Sequence, residues 1–226
     1  MEFFATLLAQ DPASPRLTVY DETSGARLDF SATTLNNWAC KIANMLSEEF
    51  DLVSGDTIGI ALPSGWQSCV LACGANAIGV DVAYDTAEDV AVLFASPDRV
   101  PADADCEVCL ITTDPFGRGV EETGGQVPDG MVDFGPVVRM YDDAYAGPSR
   151  TLEEVLADYP GADALADEEF PSSPRVLSTG FADAAGFARC VLSPWAAGGS
   201  AIVVLGMAST QRLEAIAQEE KATTIL

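Results

Sequence analysis

The sequence predicts an α/β protein of mixed, largely parallel sheets with flanking helices. Three observations carry this expectation. A strand–helix–strand pattern runs from Thr57 to Tyr84, and strand and helix alternate again from Arg175 to Leu226. Between residues 32 and 49 an amphipathic stripe needs a sheet to cover. The 226 residues are 48% hydrophobic, enough for a substantial core.

Phe3, Phe4, Leu7 and Leu8 share one face at helical spacing, so the first ten residues read as a short docking helix ended by Asp11 and Pro12. "LTVYDETSGARLDFS" alternates around the turn residues Asp21 to Gly25, the pattern of a β-hairpin. Ser31 stands where it can cap the next element. From Ala32 to about Glu49, Leu35, Trp38, Ala39, Ile42, Met45 and Leu46 recur at intervals of three and four. Thr57 to Leu62 reads as a strand, Pro63 to Gly65 as a turn, Trp66 to Ile78 as an apolar helix and Val80 to Tyr84 as a second strand. Together they form a right-handed βαβ unit. Val90 to Ala95 is apolar enough for a buried helix or strand, and Val108 to Thr112 reads as a strand.

The character changes between Asp114 and Pro174, where Gly, Pro and Asp are dense. Order is expected only over Val132 to Tyr145 and over Thr151 to Tyr159, where Thr151 and Glu154 have capping-box spacing. Then follow strand Arg175 to Ser178, helix Ala182 to Trp195, strand Ala201 to Leu205, helix Thr210 to Glu219 and a last apolar strand, Ala222 to Leu226. The division expected is a first α/β subdomain (1–113), a connection with short helices (114–174) and a second α/β segment (175–226).

The charge balance excludes several classes of partner. Thirty-five acidic residues face 11 basic ones, giving a net charge of −24. That field repels nucleic acid and anionic lipid. Six cysteines without a secretory leader point to reduced thiols and a cytoplasmic location, and no apolar run reaches the roughly 18 residues of a membrane span.

The chain has no histidine, so serine–histidine triads, Cys–His pairs and zincin sites are excluded. Cys69 and Cys73 lie within an apolar helix pattern, and Cys106 and Cys109 lead into a strand rather than opening a helix, so these thiols read as inert core. The acidic pairs Glu48-Glu49, Asp142-Asp143 and Glu168-Glu169 read as solvated faces. No metal site and no catalytic residue is assigned.

A phosphate site needs a strand, a short Gly-containing loop and a helix in that order, so that free N–H groups face the anion. Gly198-Gly199 in "SPWAAGGSAIVVL" has the opposite order: it follows a helix and precedes a strand, and reads as a C-cap and turn. "VLSTGFADAAG" has the right order, which makes Ser178, Thr179 and Gly180 the candidate ligand-binding residues. The segment carries no lysine, and Asp183 stands where an anion would sit.

"VYDETSGARLDFSATTLNNWACKIANML" followed by "LVSGDTIGIALPSGWQSCVLACGANAIGVDVAY" resembles the N-terminal part of the adenylate-forming superfamily: AMP-binding acyl-CoA synthetases, luciferases and nonribosomal adenylation domains. The matching features are the hairpin, the helix start at Phe30 to Leu35, the "GD" strand at Gly55 to Pro63 and the following helix and strand. "RVLSTGFADAAGFARCVLSPWAAGGSAIVVLGMASTQRLEAIAQEEKATTIL" is similar to the superfamily's stretch running through its "aG" element, here Gly198-Gly199.

The resemblance covers about half the chain, in the right order. Nothing between Asp114 and Arg175 matches the superfamily's Ser/Thr/Gly-rich loop ending in Pro-Lys-Gly, and Ser178-Thr179-Gly180 is a short echo without the lysine. Phe181-Ala182-Asp183 stands where an aromatic residue or histidine is usual, and the given sequence stops before the adenine- and ribose-binding motifs and the C-terminal domain. The resemblance therefore implies a truncated, degenerate member, like small actinobacterial-type relatives: a pseudoenzyme without cofactor, serving as a small-molecule or partner-binding module for an acyl or nucleotide ligand. Two alternatives stand beside it. One is a nucleotide- or acyl-adenylate-binding enzyme component with altered chemistry. The other is an interaction protein that dimerises, or docks on a partner protein, through its C-terminal edge strand.

Overall fold

The computed structural model describes residues 1–159 and 170–226, so the Glu168-Glu169 pair lies outside the described residues. The chain forms two compact units. One comprises Met1, Asn36–Pro63 and Gln67–Arg150; the other comprises Glu2–Leu35, Ser64–Trp66 and Thr151–Leu226. Each contains a five-stranded sheet, and the expected α/β class of largely parallel sheets flanked by helices is what the structure has. Among the described residues no helix is long and apolar enough to cross a membrane.

In the second unit a 3-10 turn, Glu2–Phe4, leads into α1 (Ala5–Gln10). Strands β1 (Pro15–Asp21) and β2 (Ala26–Ser31) form the hairpin. Its turn is closed by Gly25 N–H on the Asp21 carbonyl, and Gly25 takes the left-handed φ of +75° that the turn requires. The Ser31 hydroxyl accepts from Thr34 N–H at 3.1 Å and so caps α2 (Ala32–Glu48).

In the first unit, strand β3 (Thr57–Ala61), helix α3 (Trp66–Ala77) and strand β4 (Asp81–Tyr84) give the parallel βαβ connection, Trp66 being assigned to the second unit. Helix α3 is apolar on every side and its residues from Cys69 to Cys73 are fully buried. Gly74 lets α2 approach: a β-carbon there would stand 2.6 Å from Ile42 Cγ2. Strands β5 (Val92–Ala95), β6 (Glu107–Leu110) and β7 (Val132–Asp133) complete a sheet of order β4-β3-β5-β6-β7, parallel throughout. The run from Val90 is thus strand, since it fills the buried slot beside β3. Within 132–145, β7 leads directly into α4 (Phe134–Val138). The 3-10 turn Glu121–Thr123 has no apolar periodicity and is not evident in the sequence.

The second unit's sheet has the order β10-β8-β9-β1-β2. Its remaining elements are α5 (Leu152–Asp158), β8 (Arg175–Ser178), a helical run α6 over 184–196, β9 (Ser200–Leu205), α7 (Thr210–Glu219) and β10 (Thr224–Ile225). The Thr151–Glu154 capping box on α5 is present in full. Helix α6 starts at Ala184 rather than Ala182, because Asp183 is its N-cap. Over Ala188–Leu192 it widens to a π-helix, next to Pro194, which has no N–H to give the Cys190 carbonyl. In strand β9, Ala201, Ile202 and Val203 are fully enclosed.

Gly198-Gly199 is a turn whose carbonyls bind a cation. Gly198 and Gly199 N–H close on the Trp195 and Pro194 carbonyls at 2.9 and 2.8 Å, and Gly198 has φ +75°. The buried Arg16 guanidinium donates to the Gly198 and Gly199 carbonyls at 2.7 and 3.1 Å. Trp195 Nε1 donates to the Arg16 carbonyl at 2.7 Å, closing a loop of bonds between β1 and the end of α6. The helix C-terminus favours a positive partner, opposite to what a phosphate would need.

A second cationic device fastens α7 to the sheet. The buried Glu220 carboxylate accepts from Tyr20 Oη at 2.6 Å, from Arg27 Nε at 2.7 Å and from Arg175 Nη2. Arg175 also donates to Ser200 Oγ and Thr18 Oγ1 at 3.1 Å, and Arg27 and Arg212 lie over the Tyr20 ring. Burial alone would raise the Glu220 carboxyl, but the bonds from Arg27, Tyr20 and Arg175 outweigh it and hold it down at about 2. A carboxyl lowered on folding stabilises above its unfolded value and loses that contribution as pH falls through the folded one. Chemical denaturation between pH 6 and about 2.5 should therefore show stability falling below about pH 4.5, by on the order of 2 kcal/mol from this group. In Glu220→Gln that part of the pH dependence should be absent.

Candidate functional site

The residues singled out in the sequence sit at the carboxyl end of β8. Sheet order decides what that position means. β8 connects through α6 to its neighbour β9, whereas β9 connects through α7 back across β8 to β10. The chain thus reverses its direction of travel at β8 and β9. Open α/β sheets receive ligands outside the carboxyl ends of strands at such a reversal. Ser178 is the last residue of β8, and Leu205 is the last of β9.

Alternation along β8 sends its side chains to opposite faces. Leu177 packs with Tyr20, Ile202, Val204, Ile216 and Ala217 on the α7 side. Ser178 points to the other face and is 2% exposed. Its Oγ is buried and has no hydrogen-bond partner, although a buried hydroxyl ordinarily has one. The next residue, Thr179, is exposed, and Gly180 is half-buried with φ +100°, where only glycine is unstrained. A β-carbon on Gly180 would collide with Ser64 Oγ. Ser178 and Gly180 therefore face packed protein, while Thr179 does not.

The start of α6 is already occupied. Asp183, in extended conformation, accepts from Gly186 N–H at 2.7 Å and supplies the negative charge that a helix N-terminus attracts. Residues 176–186 contain no lysine or arginine. This loop can offer a hydroxyl, a glycine carbonyl and a carboxylate, but nothing to neutralise a triphosphate.

Two contributors were not foreseen in the sequence. Ser64 lies in the turn before α3, and Cys190 Sγ approaches the Gly180 carbonyl at 3.7 Å from the π-helical stretch. Neither is signalled by a motif. Of the other cysteines, Cys69, Cys73 and Cys109 are fully buried, and burial pushes the Cys73 and Cys109 thiols well up. The Cys106–Cys109 pair is therefore held away from the thiolate form that redox or metal chemistry requires.

No family model matches the sequence. Among solved structures, the chain superposes on an acyl-CoA synthetase from Brucella canis with a TM-score of 0.73 at 14% identity, covering 94% of this chain and 44% of that one. The anthranilate CoA ligase AuaEII, solved with anthranoyl-AMP, gives 0.67 at 12% identity, over 98% of this chain and 48% of that one. The fatty acyl-adenylate ligase from L. pneumophila, solved with acyl adenylate and pyrophosphate, gives 0.64 at 11%, over 100% and 44%. The chain spans less than half the length of each, and the likeness is one of fold. A curated relative from Mycobacterium tuberculosis (strain ATCC 25618 / H37Rv), a TIGR03089 family protein, is 35% identical over 191 residues, covering 76% of this chain and 75% of that protein. On that identity and coverage, the chain belongs to the TIGR03089 family.

Proposed function

We propose that this protein is a non-catalytic, degenerate relative of the adenylate-forming acyl-CoA synthetases that uses their N-terminal scaffold to bind a small molecule. The observation that carries this reading is the buried, unpartnered Ser178 Oγ at the strand-order reversal, in a segment without a cation. Leaving a buried hydroxyl unpaired costs on the order of 1–3 kcal/mol, so a polar ligand group admitted to it by movement of the adjoining exposed Thr179 would remove a standing penalty.

Electrostatics choose the ligand's character. Adenylation concentrates negative charge on phosphoryl oxygens, and enzymes offset it with magnesium, lysine and arginine. Here the loop contributes Asp183 and the whole chain carries −24. An uncharged acyl group, such as an amide or ester, suits the site better than a nucleotide. The solved neighbours holding an acyl adenylate support an acyl ligand as the common denominator, while the reaction itself is not carried over.

A second reading has its own observation. Strand β10 lies at the edge of its sheet and Ile225 on it is 54% exposed, which favours assembly through strand addition. Light scattering that gives a monomer mass at all concentrations would remove this reading.

The binding proposal predicts opposite effects of one substitution. Without ligand, Ser178→Ala should raise stability by about 1 kcal/mol, because it deletes an unpaired buried oxygen. In a thermal-shift screen with fatty-acid amides, acyl esters, AMP and ATP, the uncharged acyl compounds should stabilise the wild type and lose that effect in Ser178→Ala. Stabilisation by ATP or AMP alone, lost in Gly180→Ala, would instead favour a nucleotide-binding component.

A further inference from the structure

The first unit has its own strand-order reversal, and a cleft lies beside it. β3 leads through α3 to β4 on one side, and the chain then returns across β3 to β5, which leads on to β6 on the other side. The return is made by residues 85–91 alone, without a helix. This strap lies directly on β3: Ala91 N–H bonds the Thr57 carbonyl and Asp85 N–H bonds the Ile60 carbonyl. A β-carbon on Gly59 would stand 2.5 Å from the Thr86 carbonyl oxygen. Both Asp85 (φ +50°) and Asp89 (φ +55°) take left-handed backbone, which aspartate tolerates at modest cost.

Ala61, Leu93 and Ala95 on this sheet face are buried, with the partly buried Ala87, Val100 and Cys106 packed against them in place of a crossover helix. A cleft of about 420 Å³ remains there, within the range of small-ligand sites. Ala61, Ala87, Leu93 and Pro101 give its apolar wall, and Asp85 and Arg99 give its polar rim. The two charges meet through one bond, Arg99 Nη1 to Asp85 Oδ1 at 3.2 Å, with side chains 42% and 59% exposed. Arg99 keeps its remaining donors and Asp85 its second oxygen for another partner. Such an exposed pair contributes little to stability by itself.

We propose that this cleft binds a small zwitterion with an apolar side chain, its carboxylate on Arg99 and its ammonium on Asp85. The sign pattern argues for both charges on one ligand. A simple carboxylate would bring a second anion onto a guanidinium already facing Asp85, in a protein of charge −24. A simple amine would compete with Arg99 for Asp85. A zwitterion meets each charge with its opposite and leaves the existing bond in place, while its side chain lies along the cleft wall of Ala61, Ala87, Leu93 and Pro101. The anchoring is rigid on the Asp85 side, whose backbone is bonded to β3.

The test uses the full chain, L-leucine, 4-methylpentanoate and 3-methylbutylamine, which share one branched skeleton and differ in charge. Calorimetric titration should give saturable binding of leucine, with each single-charge analogue about tenfold weaker or worse. Arg99→Gln and Asp85→Asn should each weaken leucine by about tenfold while leaving the circular dichroism unchanged. Arg99→Lys provides the check should either variant fail to fold, and should retain part of the affinity. Amide shifts induced by leucine in the wild type should centre on Asp85, Leu93 and Arg99. No saturable leucine binding, equal affinity for 4-methylpentanoate, or full affinity in Arg99→Gln would each overturn the proposal.

Discussion

The Arg16 guanidinium, bound to the carbonyls of Gly198 and Gly199, is the contact from which the second unit is best understood. It joins β1 to the turn that feeds the buried strand β9, and Trp195 returns a bond to the Arg16 carbonyl. A chain with 11 basic residues against 35 acidic ones has few such groups. Here they hold structure together. Arg27 and Arg175 converge on Glu220, Arg212 binds Glu22 and lies over Tyr20, and Lys41 donates to the Tyr141 carbonyl. The positive charge of these groups is thus placed on a helix end, on carboxylates and on a backbone carbonyl of the fold itself.

The two sheets repeat one topological device with different chemistry. In each, the chain reverses its direction of travel, at β8 and β9 in one and at β3 and β5 in the other, and so leaves a position outside the carboxyl ends of parallel strands. At β8 that position offers a buried hydroxyl next to a glycine in left-handed backbone. At β3 it offers a guanidinium and a carboxylate above an apolar face. Neither arrangement resembles a polyphosphate cradle, in which several N–H groups and a lysine point inward together.

Local elements were legible in the sequence where period and cap agree. The α2 stripe, the hairpin around Asp21 to Gly25 and the Thr151–Glu154 capping box rest on residues a few positions apart, and the structure has them at nearly those bounds. Gly198-Gly199 could be read as a turn because helix-then-strand order alone settles which groups the helix end presents. That Arg16 would bind it could not be read, since the two lie 182 positions apart. Val90 to Ala95 stayed ambiguous because a fully buried strand has no alternation to reveal it. At the candidate site, the strand-to-loop transition at Ser178 was visible, but the packing of Ser64 and Cys190 around Gly180 comes from distant segments. The widening of α6 likewise needs Pro194 read in its three-dimensional turn.

The proposed function keeps a fold shared with acyl-CoA synthetases and lacks the adenylation reaction. ATP–pyrophosphate exchange measures that first half-reaction directly and independently of any acceptor. With magnesium, ATP, labelled pyrophosphate and a panel of aliphatic and aromatic carboxylic acids, no carboxylate-dependent incorporation of label into ATP is expected. Incorporation that depends on a carboxylic acid and survives rigorous purification would contradict it.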